Sequence, residues 1–167
     1  MPNIKVEDDL GSWMSLRPDM APGLIALSDA VYGKSQLPLR VKEIARMRIA
    51  LANECEVCRN ARYEQGEEAG LDAAFYRHVL EWRTASIYSE RERLAAEYAE
   101  GIALDHVRLR EDQSFWARHR QHFSDAEIVD LALCCALWLG AGRTMRVLDV
   151  GQTCALVMSR NAQVEAA

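Results

Sequence analysis

The segment 128–139, IVDLALCCALWL, constrains the fold of this chain more than any other stretch. It is apolar on nearly every side of a helical wheel, with Asp130 its one charge, so as a helix it must be enclosed by other elements or by a second subunit. Ser124 and Glu127 stand just before it at capping-box spacing, in which a serine hydroxyl and a glutamate side chain satisfy orphan backbone amides reciprocally. The run therefore starts as a helix, and Trp138 within it is the expected interface anchor. The same signature at Ser89 and Glu92 opens a helix to about Leu104. No alternating pattern of strand length appears; residues 106–110 (HVRLR) alternate briefly and read as a connector. The expected class is all-α, a helical bundle built around the apolar run.

Glycine and proline divide the rest of the chain into helix-length pieces. Between Leu39 and Ala52, Val41, Ile44, Met47, Ile49 and Leu51 are spaced for a largely buried helix, with Arg40, Lys42, Arg46 and Arg48 interleaved. A second helix is predicted from about Cys55 to Ala69, stopped by Gly70, and Asp72 caps a short helix through Trp82. This organisation reads as one globular domain. Residues 1–36 form an N-terminal segment with one short helix packing on the core, residues 37–150 form the body, and residues 151–167 form a C-terminal tail whose end, NAQVEAA, is expected to fray.

Composition narrows the partners. With 167 residues, half of them hydrophobic, the chain is long enough to bury a core of its own. The net charge of -5 comes from interspersed acids and bases, which present no single-sign face for a phosphate backbone, so nucleic acid is not an expected partner. The N-terminal residues show no secretory or organellar targeting pattern, and no apolar run reads as membrane-spanning, so the expected location is cytoplasmic with no membrane partner. Five cysteines, two of them adjacent at Cys134 and Cys135, do not suit an evenly paired secreted framework.

In a reducing compartment a Cys-x-x-Cys pair such as Cys55 and Cys58 is more often catalytic or metal-binding than a permanent staple. Zinc needs a fuller ligand set than the sequence offers near the pair, and no metal is expected. At a helix start the unpaired amides favour a thiolate. Such a thiolate attacks a peroxide oxygen, and its partner condenses the resulting sulfenic acid into a disulfide. The plainer alternative is two buried cysteines acting as small hydrophobes. Cys134, Cys135 and Cys154 are read that way.

The stretch LRVKEIARMRIALANECEVCRNARYEQGEEAG resembles the carboxymuconolactone decarboxylase and alkylhydroperoxidase D-like family, as do residues 89–103 and 122–139. The family shows a glutamate twelve residues before a Cys-x-x-Cys pair, which falls here on Glu43, and a histidine four residues after the second cysteine, where this chain has Arg62. The resemblance implies an alkylhydroperoxidase D-like bundle, a homo-oligomer that is commonly a trimer or hexamer, and no cofactor. It implies Cys58 as the attacking thiol and Cys55 as the resolving thiol, with Glu43 and the missing histidine as proton relay. Arginine cannot accept that proton, so the relay is broken at Arg62. If the chain reverses near Glu54 into two antiparallel helices, Arg62 lies level with Glu43, and a contact between them is predicted, the plainer reading of Glu43 being a structural ion pair with Arg62 or Arg46.

These readings converge on a catalytic set of Cys58, Cys55, Glu43 and Arg62. The expected activity is that of a thiol-dependent peroxidase or disulfide oxidoreductase acting on organic hydroperoxides, with a dithiol or disulfide carrier as partner. Two alternatives stand beside it. One is a carboxymuconolactone decarboxylase-like enzyme in which Arg62 holds a small acid. The other is a non-catalytic oligomeric binding protein that keeps the fold.

Overall fold

The structure, a computed structural model, describes residues 1–64 and 66–158. Helices α1 (Ser12–Ser15) and α2 (Ala21–Gly33) precede α3 (Leu39–Ala52), and the short α4 (Glu56–Asn60) leads into strand β1 (Arg62–Tyr63). After α5 (Ala73–Arg77) come α6 (Glu90–Leu104), α7 (His106–Glu111), α8 (Gln113–His122) and the long α9 (Asp125–Leu148), and strand β2 (Val157–Met158) follows. The architecture is the helical bundle the patterning predicts.

Helix α3 is its axis. It packs most extensively on α6 and next on α9, while α2 covers α9 and α7 and α8 cover α6. Ile44, Ala45 and Ile49 of α3 are fully buried against a core that includes Leu94, Ala95, Phe115 and Leu131. Both predicted capping boxes form, at Ser89–Glu92 and Ser124–Glu127, and satisfy the first amides of α6 and α9.

Five local expectations change once the chain is folded. The helix predicted from Cys55 to Ala69 stops at Asn60, because Ala61 turns extended and the next residues pair in parallel with residues 157–158. The Arg62 amide donates to the Leu156 carbonyl at 3.2 Å, and the Glu64 amide to that of Met158 at 3.0 Å. A partner more than ninety residues away thus takes the backbone groups that a continuing helix would have used. The predicted tail is described as far as Met158, and its closing residues NAQVEAA lie outside the described residues.

Residues 106–110 are helical, not a connector, because Asp105 accepts from the Arg108 amide and caps α7, whose Leu109 alone is buried. The N-terminal segment holds two helices. Pro22, read as punctuation, occupies the first turn of α2, where proline is preformed for helix and its missing N–H is no loss. The apolar run extends past Gly140 and Gly142 to Leu148, so by length and hydropathy α9 does reach membrane-spanning dimensions, while a third of that window is buried inside the bundle. Trp138 is 7 % exposed and packs inward, leaving Val129 and Leu133 on the open face of α9.

Candidate functional site

The site forms where α3 ends. Asn53 closes α3, Glu54 adopts a left-handed conformation at φ 52°, and this sharp reversal lets the Cys55 amide donate back to the Ala50 carbonyl at 3.1 Å. Cys55 then enters α4 as its N-cap, its sulfur accepting from the Cys58 amide at 3.4 Å. Cys55 and Cys58 are joined in a disulfide with their Cα atoms 5.2 Å apart, as the spacing allows. Cys55 is fully buried, whereas Cys58 is half-buried and lines a cavity of about 240 Å³.

Helix α9 closes over the pair at Gly142. A Cβ there would stand 2.9 Å from the Asn53 side-chain nitrogen and 3.3 Å from the Cys58 sulfur, so only glycine permits this approach. Asn53 fixes the register by donating to the carbonyls of Trp138 at 3.0 Å and Leu139 at 3.3 Å, while its oxygen accepts from Arg143 at 3.0 Å.

Charge reaches the site through a buried pair on α3. Glu43 is fully buried, and Arg46 donates to its carboxylate through Nε and Nη2, both at 2.7 Å. Arg46 also donates to the carbonyls of Cys58 and, at 3.2 Å, Ala61, thereby gripping the C-terminal half of α4 and its cap. Burial works against the guanidinium charge, but the opposed Glu43 carboxylate and its hydrogen bonds hold it firmly protonated. Arg46 thus meets the cysteine turn through that turn's backbone, with its charge balanced by Glu43.

The predicted contact between Glu43 and Arg62 is not formed. With the helix broken at Asn60, Arg62 lies on β1, donating to the carbonyls of Arg59 and Ala61 at 2.8 Å each, and its guanidinium stacks 3.8 Å above the Tyr76 ring. It lines a separate, more polar cleft of about 500 Å³ with Glu64, Glu67 and Tyr76, and Cys58 is not part of that wall. The hydroxyls of Tyr63 and Tyr76 are buried, and burial followed by the Glu43 charge pushes both phenols up.

The remaining thiols stand apart. Cys134 and Cys135 are buried, and burial pushes Cys134 up to about 12, with Asp130 adding to the effect. His119 is fully buried among Phe115, Trp116 and Phe123, with no hydrogen-bond partner for either ring nitrogen among the described residues. Among the described residues no group of three or more His, Cys, Asp or Glu is placed to hold a metal. Sequence reasoning singled out the cysteines and Glu43 and allowed Arg46 as a structural partner of Glu43, but it did not foresee that Arg46 also holds the cysteine turn, and it passed over Gly142. For Arg46 a signal existed in its i,i+3 spacing from Glu43 on a helix otherwise patterned for burial.

Residues 18–101 match the carboxymuconolactone decarboxylase family profile, a span that holds α2, α3, the cysteine pair and most of α6. No curated protein matches the chain. Among solved structures the fold is similar to a protein of unknown function from Agrobacterium tumefaciens, provisionally named for AhpD-type antioxidant defence. That match has 19 % identity and a TM-score of 0.72 and covers 89 % of this chain and 96 % of the other. It is also similar to a cysteine-to-alanine variant of the debrominase Bmp8 in complex with 2,3,4-tribromopyrrole, with 18 % identity, a TM-score of 0.68, and coverage of 82 % of this chain and 72 % of that one. At these identities the likeness establishes a shared AhpD-like helical fold.

Proposed function

We propose that the chain, which belongs to the carboxymuconolactone decarboxylase family, acts as a thiol-dependent peroxidase that reduces organic hydroperoxides through Cys58 and Cys55. The observation that carries this reading is the position of Cys58: its sulfur is bonded to that of Cys55 and faces a cavity, while Cys55 lies sealed behind it. In the reduced enzyme the Cys58 thiolate attacks the terminal peroxide oxygen, the O–O bond breaks, and Cys58 becomes a sulfenic acid. The departing alkoxide takes a proton and leaves as an alcohol. The Cys55 thiol then attacks the sulfenic sulfur, releasing water and forming the disulfide, which an external dithiol reduces with two electrons.

Arg46 supports the first step by holding the Cys58 and Ala61 carbonyls and so fixing the α4 turn that presents the Cys58 thiol. Glu43 acts through Arg46 as a positioning residue, and Arg62 serves as a clamp on the end of α4. The proposal places the protein in the cytoplasm as a homo-oligomer served by a dithiol carrier. Decarboxylation of a small acid finds less support, because every nitrogen of Arg46 is already engaged within the protein and Arg62 lies outside the Cys58 cavity.

The test is consumption of tert-butyl hydroperoxide by the purified protein with dithiothreitol as reductant. Cys58→Ser and Cys55→Ser are each expected to abolish turnover. Full turnover by Cys58→Ser would refute the assignment.

A further inference from the structure

The peroxidase step leaves one proton without a donor. The alkoxide expelled when the O–O bond breaks must be protonated, and neither position of the family's relay is placed to do it. Glu43 is bound by two nitrogens of Arg46, and Arg62, at the position of the missing histidine, lines the other cleft. The donor has to come from the wall of the Cys58 cavity itself.

Besides Arg46, three side chains in that wall carry a hydrogen-bonding proton among the described residues: Ser28, Tyr32 and Trp138. Arg46 keeps its protons, because the Glu43 carboxylate holds the guanidinium charged. A serine hydroxyl is no more acidic than the alcohol it would have to make, and an indole N–H gives a hydrogen bond but no proton. Tyr32 remains, a phenol whose ordinary pKa of about 10 makes it far more acidic than an alkyl alcohol.

Helix α2 brings it there. Ser28 and Tyr32 stand one turn apart on α2, which packs on α9, and both line the cavity between the two helices. The Tyr32 hydroxyl lies beside the buried indole N–H of Trp138 on α9. Since an indole only donates, the phenol oxygen accepts there and keeps its own proton for a ligand in the cavity. Burial raises the phenol and outweighs the opposing effects of Arg46 and Trp138, so Tyr32 enters the reaction protonated.

We infer that Tyr32 is the general acid of this site, delivering its phenolic proton to the leaving oxygen of the hydroperoxide in place of the missing histidine relay. The assignment rests on the peroxidase reading of Cys58 and Cys55. The Cys58 thiolate bonds the terminal oxygen and is oxidised to the sulfenic acid as the O–O bond breaks and the peroxide is reduced. The Tyr32 O–H bond breaks in the same step, and its proton leaves with the alkoxide as an alcohol. The phenolate then regains from solvent the proton that Cys58 shed on ionising, which restores the acid for the next turnover.

The test compares oxidants that differ in the base they expel. tert-Butyl hydroperoxide expels an alkoxide, which needs the proton; peracetic acid expels acetate, which does not. The reduced full chain is mixed with each oxidant, and the second-order rate of Cys58 oxidation is followed. Tyr32→Phe is expected to lower that rate about a hundredfold with tert-butyl hydroperoxide, the loss of a positioned acid, but less than about threefold with peracetic acid. Ser28→Ala, a change in the same wall, is expected to keep the ratio of the two rates at the parent's value. Iodoacetamide gives a readout without peroxide. It expels iodide, so Tyr32→Phe should be alkylated at Cys58 at the parent's rate.

A Tyr32→Phe variant that slows both oxidants equally, or neither, overturns the assignment. Slowing of iodoacetamide by the same factor as tert-butyl hydroperoxide overturns it too, because Tyr32 would then be supporting the thiol or the fold. A parent protein that reduces neither oxidant overturns the peroxidase reading and the acid role together, whereas a parent that reduces both, with a ratio unmoved by Tyr32→Phe, overturns the acid role alone.

Discussion

Removing the Glu43 charge is the perturbation that most directly tests how the site is held. Glu43 is fully buried and Arg46 only 3 % exposed, and the two meet through a bidentate pair. Glu43→Gln keeps the shape and deletes the charge, leaving a buried guanidinium without its counter-ion. Breaking a buried pair in this way costs about 3–5 kcal/mol. For a domain of this size that lowers Tm by roughly 6–20 °C.

Arg46→Met should destabilise at least as much, because it also frees the carbonyls of Cys58 and Ala61, each bond to a charged donor contributing about 1.5–3 kcal/mol. The double variant Glu43→Gln with Arg46→Met leaves no unpaired buried charge. It should therefore cost about 2 kcal/mol or more less than the sum of the two single charge deletions. Chemical denaturation of the four proteins measures the cycle. A Glu43→Gln variant within 1 kcal/mol of the parent, or strict additivity in the cycle, would refute the claim that this pair holds α4 in place.

Three further outcomes follow from other parts of the fold. Gly142→Ala gains helix propensity of about 1 kcal/mol yet is expected to destabilise by about 1–3 kcal/mol net in thermal melts, because Asn53 is tethered on both sides and cannot yield to the new methyl. His119 is pushed down to about 4 from its ordinary 6.5 by burial, with His122, Arg118 and Arg120 adding to the effect. The folded state thus keeps the ring neutral, so its contribution is intact above about pH 6.5 and is lost as the pH falls toward 4. Denaturation series from pH 7 to 4 should show His119→Phe losing less stability over that window than the parent. Ser124→Ala removes the hydroxyl that accepts from the Glu127 amide at the start of α9 and is expected to cost about 1 kcal/mol by the same assay.

Features that depend on near neighbours in the chain were legible beforehand. Both capping boxes, the span of α3 and the proximity of Cys55 to Cys58 involve partners three or four residues apart, and each appears in the structure. The helix expected through Ala69 failed because its competitor was remote: residues 157–158 claim the backbone of Arg62 and its neighbours, and no local signal at Asn60 announces that. Moving Arg62 onto β1 removed it from Glu43, and the vacant role passed to Arg46, whose i,i+3 spacing had been visible without a reason to prefer it. Trp138 was misjudged for a related cause, since an all-apolar helix does not reveal which of its sides the bundle will cover.

The amino-acid order alone settled that this chain makes helices around a central apolar one and carries two thiols one helical turn apart, because those outcomes follow from short-range hydrogen bonding and the spacing of apolar side chains. The tertiary structure decided which thiol faces a cavity, which arginine lies beside it, and that a glycine on α9 must pass over it. Those are contacts between segments as far apart as residues 46, 58, 142 and 156, and their geometry exists only once the bundle has closed.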